Sequence, residues 1–443
     1  MTTTITSILV GISIIAIIVL TSKFKLKAFI ALFLVSLFLA ITTLPPNLVI
    51  STIKEGFGNT MASIGFLIIL GAIIGITLDK TGGTLSIAGY ILSKTGEKRS
   101  PQALGITGFI TGLPIFCDSG FIILSGLAKS FSAKAKIAMP FMATVLACSM
   151  LPVHCLIPTH PGALAGAGIL NVNIGYLIIT GIIFSIPGAI AAYFWSKWMT
   201  TGKNYPPAKD IEVDVDLNQD SLPPVSLSLL PIVIPLLLIT IKSLLNLVDK
   251  GGISLISRIF YFPGEPIIAL AIGVALALLL IRKKSINSIN SIFTEALEKA
   301  GPILIVTAAG GMFGMVIKAT GTGEVLGRAL TGTSLGLVIP FLIASVMKTA
   351  QGSATVAIIT TVSFVEPMLS ILGLDSEMGR LFTMLAVGAG SMPVSHANDS
   401  YFWVVSNFSD IDPDTNLRVY STTTIVTGVV VFAFVWVTSL FVL

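Results

Sequence analysis

Charge is what this chain is short of. Asp, Glu, Lys and Arg make up 11% of its 443 residues, against about 25% in an ordinary soluble domain. Histidine and cysteine are scarce too, at three of each. Cys117, Cys148 and Cys155 are odd in number and irregularly spaced, which excludes a disulfide framework. Their apolar surroundings read them as small buried hydrophobes. No Walker loop is present, which argues against ATP drive. No GxSxG or HExxH is present either, which argues against an intramembrane hydrolase, so no enzyme is expected. His154, Cys155 and His160 lack a recognisable zinc spacing, and neither a metal nor a cofactor is called for. The net charge of +5 is carried by basic residues between apolar stretches. Lipid and topology explain those better than nucleic acid does.

What fills the chain instead is apolar: 54% hydrophobic residues and a mean hydropathy of +0.96. A helix needs about 20 apolar residues to cross a bilayer. The first candidates are Ile5 to Leu20, Ala28 to Leu44 and Thr60 to Leu78. No basic region precedes the first, so it reads as a retained span and not a cleaved signal. Lys23, Lys25 and Lys27 follow the first span, and Lys80, Lys94, Lys98 and Arg99 follow the third. The positive-inside rule makes both loops cytoplasmic and puts the N-terminus outside.

Pro101 to Ala128 begins and ends beside cytoplasmic lysines, yet is too short for two crossings. It reads as a re-entrant hairpin with its tip near Pro114 to Gly120. Ile137 to Leu170 crosses outward, interrupted over Leu151 to Gly162, where Pro152, Pro158 and Pro161 each remove a helical donor. Ile174 to Trp195 returns. The polar stretch 200–225 reads as a cytoplasmic linker between a first membrane repeat, 1–199, and a second, 226–443. The second half repeats the plan, with spans at Ser226 to Ile241, Gly264 to Ile281 and Gly301 to Ile317. A hairpin follows at Leu335 to Phe364, then a crossing at Leu381 to Ser406 broken over Ser391 to Asp399, and a last span at Ser421 to Leu443. Most of the 26 lysines and arginines fall on the inner side of this topology.

Gly71, Gly75, Thr81 and Gly82 recur as Gly310, Gly314, Thr320 and Gly321 at identical spacing, and Pro152-Val153 recurs as Pro393-Val394. The copies enter from opposite sides. The expected fold is therefore an all-α polytopic membrane protein with two inverted-topology repeats. It would have about ten transmembrane spans plus two re-entrant helical hairpins and two discontinuous helices. Binding sites of such transporters form at the discontinuous helices near the midplane.

Four irregular stretches would converge there, offering free backbone groups and short polar side chains. Half-helix N-termini suit an anion. Ser119, Gln351, Ser353, Thr355, Ser395 and Asn398 can hydrogen-bond hydroxyls, so a polyhydroxylated carboxylate fits. Small residues such as Gly71 and Gly75 serve better as helix-packing surfaces. Asp118, Asp399, His154, His160 and His396 all fall at breaks and could carry protons. Lys348, deep in the second hairpin, could be a substrate counter-charge, could snorkel outward or could pair with a carboxylate.

Four motifs carry a family resemblance: GLPIFCDSGFIIL (Gly112 to Leu124), HCLIPTHPG (His154 to Gly162), AQGSATVA (Ala350 to Ala357) and SHANDSYFW (Ser395 to Trp403). The chain resembles the gluconate permease family over almost its whole length. The resemblance implies proton symport of gluconate or a related sugar acid across the bacterial inner membrane. Relatives accept D-serine or small hydroxy acids. It also implies a homodimer whose mobile part is built from the hairpins and broken helices. Cys117, Ser119 and Thr159 depart from common family choices. The expected substrate-binding residues are Ser119, Thr159, His160, Gln351, Gly352, Ser353, Thr355, Ser395, His396 and Asn398, with Asp118, Asp399 and His154 for proton coupling. A symporter of D-serine or another small hydroxy or amino acid is the alternative within the class, and a passive anion channel is the alternative outside it.

Overall fold

The computed structural model describes residues 3–95, 99–208, 222–248, 255–281, 285–320, 336–397 and 399–443. Every regular element among these is helical. Asn398, Gly321, Lys98, residues 282–284 and most of the expected linker lie outside them. The first half runs α1 (Thr3–Ser22), α2 (Ala28–Thr43), α3 (Pro46–Lys80), α4 (Gly83–Thr95), α5 (Ser100–Thr111), α6 (Cys117–Ala135), α7 (Met139–Leu156), α8 (Pro161–Ile169) and α9 (Ile174–Thr200). The second half runs α10 (Val225–Val248), α11 (Leu255–Tyr261), α12 (Pro266–Leu278), α13 (Ile286–Ala319), α14 (Val338–Gln351), α15 (Ala354–Val365), α16 (Glu377–Gly390) and α17 (Ser400–Phe408). It ends with α18 (Pro413–Val442), which passes through a π-helical turn at Leu417–Ser421.

Six helical stretches are long and apolar enough to cross a bilayer: α3, Met139–Ile169, α9, Val225–Asn246, α13 and α18. The first of the two expected hairpins is α5–α6, turning over residues 112–116. The second is α14–α15, turning at Gly352 and Ser353. Both expected helix breaks are present as well. α7 gives way to α8 over 157–160, and α16 to α17 over 391–399.

Two readings from the sequence need correction. The first concerns α3 and α13, which are 35 and 34 residues long. They extend well beyond the apolar windows Thr60 to Leu78 and Gly301 to Ile317. Hydropathy marks where a helix meets lipid, not where its backbone bonding stops. These two pack on each other along their length, so polar residues outside the apolar windows find partners there. Lys80 pairs with Glu295 at 2.8 Å near one end. Near the other end Gly56 lies so close to α13 that a Cβ would come within 2.8 Å of the Gly311 carbonyl.

The second correction concerns Pro152, which stays inside α7 instead of opening the break. The chain leaves the helix at Ile157, extended at φ −100° and ψ 128°, and again at His160, φ −102° and ψ 144°. Each precedes a proline, Pro158 and Pro161, and a residue before proline is pushed out of the helical region. Pro161 then starts α8, where its missing N–H costs nothing. Buried side-chain donors reach two carbonyls of the turns that precede Pro152. Tyr401 donates its hydroxyl to the Ala147 carbonyl at 3.2 Å, and the Cys117 thiol points at the Met150 carbonyl at 3.6 Å.

Close packing at one glycine positions the first hairpin. A Cβ on Gly75 of α3 would lie 2.7 Å from the Pro114 carbonyl at the hairpin turn. Gly75→Ala is expected to force the turn away and to destabilise by about 1–3 kcal/mol. Gly58→Ala on the same helix meets nothing within 4 Å, and should stabilise by about 0.5–1 kcal/mol through helix propensity. Thermal unfolding of the two variants in detergent checks this, and the sign should differ between them.

Candidate functional site

The first hairpin turn is made by Gly112, Leu113, Pro114, Ile115 and Phe116, a stretch too rich in glycine and proline to stay helical. α6 restarts at Cys117, which places Asp118 in its first turn. A carboxylate there faces the partial positive charge of the helix N-terminus. No hydrogen bond or ion pair reaches it among the described residues.

The second hairpin turns at Gly352, whose φ of +79° is the left-handed conformation that glycine adopts without cost. Ser353 then caps α15, its Oγ accepting from the Val356 N–H at 3.3 Å. In the break opposite, Val394 has φ +57°, a strained value for a β-branched residue. Asp399 caps α17, accepting from the Tyr401 N–H at 3.0 Å.

Asp399 also accepts from Ser395 Oγ and from Lys348 Nζ, the latter at 2.6 Å. Lys348 donates to the Gly352 carbonyl at 2.8 Å as well. The lysine and aspartate side chains are only 2% and 6% exposed. Of the three roles open to Lys348 in the sequence, the geometry selects pairing with a carboxylate. The pair ties the turn of the second hairpin to the second broken helix.

Between these elements lies a cavity of about 280 Å³. Asp118, His154, Lys348, Ser353, Thr355 and Asp399 line it, together with Phe116, Pro302 and Tyr401. Two hairpins, both broken helices and the middle of α13 therefore meet at one place. The other expected residues stand behind this wall. Gly352 and Ser395 hold the ion pair. Gln351 is half-buried, and its enclosed amide atoms have no partner among the described residues. His160 Nε2 lies 3.0 Å from the Ile115 carbonyl, and Thr159 Oγ1 lies 3.1 Å from His160 Nδ1. His396 Nε2 lies 3.0 Å from the Thr349 carbonyl.

Ser119 brings in a residue that the sequence reading passed over. Lys299 of α13 donates to its hydroxyl at 3.4 Å and lies 3.4 Å from Glu295. The apolar window opened at Gly301, which left Lys299 in a loop. The four-residue spacing of Glu295 and Lys299 was the available sign that the helix had already begun. Tyr401 was likewise inside a quoted motif without being given a role.

Residues 4–441 match the family model described as GntP family permease. The chain is 32% identical to the inner membrane permease YgbN of Escherichia coli K12 over 440 residues, covering 96% of each protein. It is 28% identical to the high-affinity gluconate transporter of the same strain over 419 residues, covering 94% of each. Among solved structures, the YdaH transporter of Alcanivorax borkumensis superposes with a TM-score of 0.60 at 14% identity, covering 93% of this chain and 97% of that one. MtrF of Neisseria gonorrhoeae gives a TM-score of 0.61 at 14% identity, covering 87% and 83%. At that identity the structures bear on the fold alone, and both are transporters built around the same chain path. A match spanning nearly every residue, and relatives above 30% identity along the same length, bear out the resemblance read from the four motifs: the chain belongs to the GntP permease family, a family of transporters and not of enzymes.

Proposed function

We propose that this protein takes up gluconate or a related sugar acid by proton symport across the bacterial inner membrane. The observation that carries the reading is the unpaired Asp118 carboxylate facing a cavity whose other two charges, Lys348 and Asp399, already neutralise each other. Relatives named as an L-idonate transporter and as gluconate permeases point to the same substrate class.

The coupling follows from electrostatics. A sugar acid in the cavity would place its carboxylate beside Asp118. Two like charges about 5 Å apart at an effective dielectric near 20 repel by roughly 3 kcal/mol. A proton on Asp118 removes that repulsion, so proton and anion bind together. Ser353 and Thr355 supply hydroxyls at the N-terminus of α15, which faces the cavity with free N–H groups. Gln351, whose amide atoms have no partner among the described residues, would serve substrate hydroxyls. The cavity volume of about 280 Å³ lies just below the ~300–1,000 Å³ usual for small-ligand sites.

The same reading takes 1–199 and 226–443 as inverted repeats joined by 200–225, with ten spans, an outer N-terminus, a surrounding shell of lipid and a homodimeric assembly. Reciprocal packing supports the repeat. α6 of the first hairpin lies against α17, α15 of the second lies against α8, and α3 crosses α13 between them.

One observation favours a second reading. An unpaired carboxylate also suits an ammonium group, as in D-serine. An excess of unlabelled D-serine should leave labelled gluconate uptake unchanged if the first reading holds, and should suppress it if the second does. Asp118→Asn is expected to abolish proton-driven accumulation in proteoliposomes while the protein still inserts; normal uphill uptake by that variant would refute the coupling role. Lys348→Met alone, or Asp399→Asn alone, should destabilise by about 3–5 kcal/mol by leaving one buried charge unpaired. The double variant should recover much of that loss in thermal unfolding. Additive losses would show that the pair is not coupled.

A further inference from the structure

Two of the three histidines do the same thing in opposite halves of the molecule. His160 sits in the break between α7 and α8, and its Nε2 reaches the Ile115 carbonyl in the turn of the first hairpin at 3.0 Å. His396 sits in the break between α16 and α17, and its Nε2 reaches the Thr349 carbonyl near the turn of the second hairpin, also at 3.0 Å. The partners are 45 residues apart in one case and 47 in the other. Each broken helix therefore contributes one imidazole contact to the hairpin of its own half.

The carbonyls explain why a donor is wanted. Ile115 lies outside any helix, and Thr349 belongs to the last turn of α14, so both carbonyls face groups from elsewhere in the fold. Such groups must be satisfied from within the protein when water is excluded. A carbonyl only accepts, so Nε2 carries hydrogen in both histidines. At His160 the Thr159 hydroxyl can donate to Nδ1 at 3.1 Å. Both ring nitrogens are then served by a neutral imidazole. His160 is 2% exposed and packs edge-on against Phe116 of the turn and against His154.

Resting on the transport reading above, we propose that His160 and His396 are latches that hold the two hairpin turns against the substrate cavity, acting as hydrogen-bond donors and not as proton carriers. Neither lines the cavity, whereas the residues next to the bonds they make do: Phe116, Cys117 and Asp118 follow Ile115, and Lys348 precedes Thr349. Release of either bond loosens one turn, and with it one wall of the site, while the other turn keeps its latch; at the second turn the Lys348–Asp399 pair remains as a further tie.

Glutamine and asparagine separate the two roles. The glutamine amide nitrogen falls where histidine Nε2 lies and can still donate, but cannot titrate near neutral pH. The asparagine nitrogen falls where Nδ1 lies and cannot reach the carbonyl. The test measures the rate at which a membrane-permeant maleimide labels a single cysteine at each turn, in native membranes. With Cys148 and Cys155 replaced by alanine, the buried Cys117 reports on the first hairpin. With Cys117 replaced too, Ser353→Cys reports on the second. His160→Ala and His160→Asn should speed labelling of Cys117 by roughly 5- to 30-fold, and leave the second reporter unchanged. His396→Ala and His396→Asn should do the reverse. Both glutamine variants should label as the parent does and should keep proton-driven uptake. Glutamine variants that label as fast as the alanine ones would overturn the latch. Parental labelling with coupled uptake lost would overturn the donor-only role. The labelling pattern stands whatever the solute proves to be, so failure of the latch and failure of the sugar-acid reading are told apart.

Discussion

A helix that is interrupted inside a protein frees backbone groups, and this molecule interrupts its helices at four places around one cavity. Everything about its centre follows from how those freed groups are satisfied. Lys348 is the clearest case. Its ammonium joins the Gly352 carbonyl to Asp399 at 2.8 and 2.6 Å, so one buried cation closes the second hairpin and holds the cap of α17. Without the carboxylate its burial would be prohibitive. Without the lysine, Asp399 would keep only the hydroxyl of Ser395 and the amide of Tyr401.

The same constraint sets the roles of the small polar residues. Ser353 and Asp399 are at once helix caps and cavity walls. A cap must stand at a helix start, and a helix start that faces a cavity is where an anion is welcome. Structural need and ligand chemistry therefore select the same side chains. Asp118 differs from them: it stands in the first turn of α6, but its carboxylate caps nothing and pairs with nothing among the described residues. A charge kept in such a place needs a function to explain it.

The long pair α3 and α13 gives the site its frame. Both run beyond their apolar windows and meet through glycine contacts at one end and the Lys80–Glu295 pair at the other. α3 presses Gly75 against the first hairpin turn, while α13 brings Pro302 to the cavity and Lys299 to Ser119. The frame therefore reaches the first hairpin from two sides, but reaches the second mainly through the packing of α13 on α15.

Apolar run lengths, the positions of proline and glycine, and the lysines that mark the side of each loop were enough to locate both hairpins and both breaks. Those are local properties: a proline acts on its own neighbours, and lipid sorts residues one segment at a time. The family, too, was legible in four short motifs. Three things were not. Pro152 stays inside α7, and a donor beside it, the Tyr401 hydroxyl on the Ala147 carbonyl, comes from far along the chain. Lys299 belongs to a helix whose polar start is covered by α3. Lys348 and Asp399 are 51 residues apart, and no spacing rule pairs them. Each depends on which groups meet across the fold, and a buried polar group takes its role from the partner that tertiary packing brings to it.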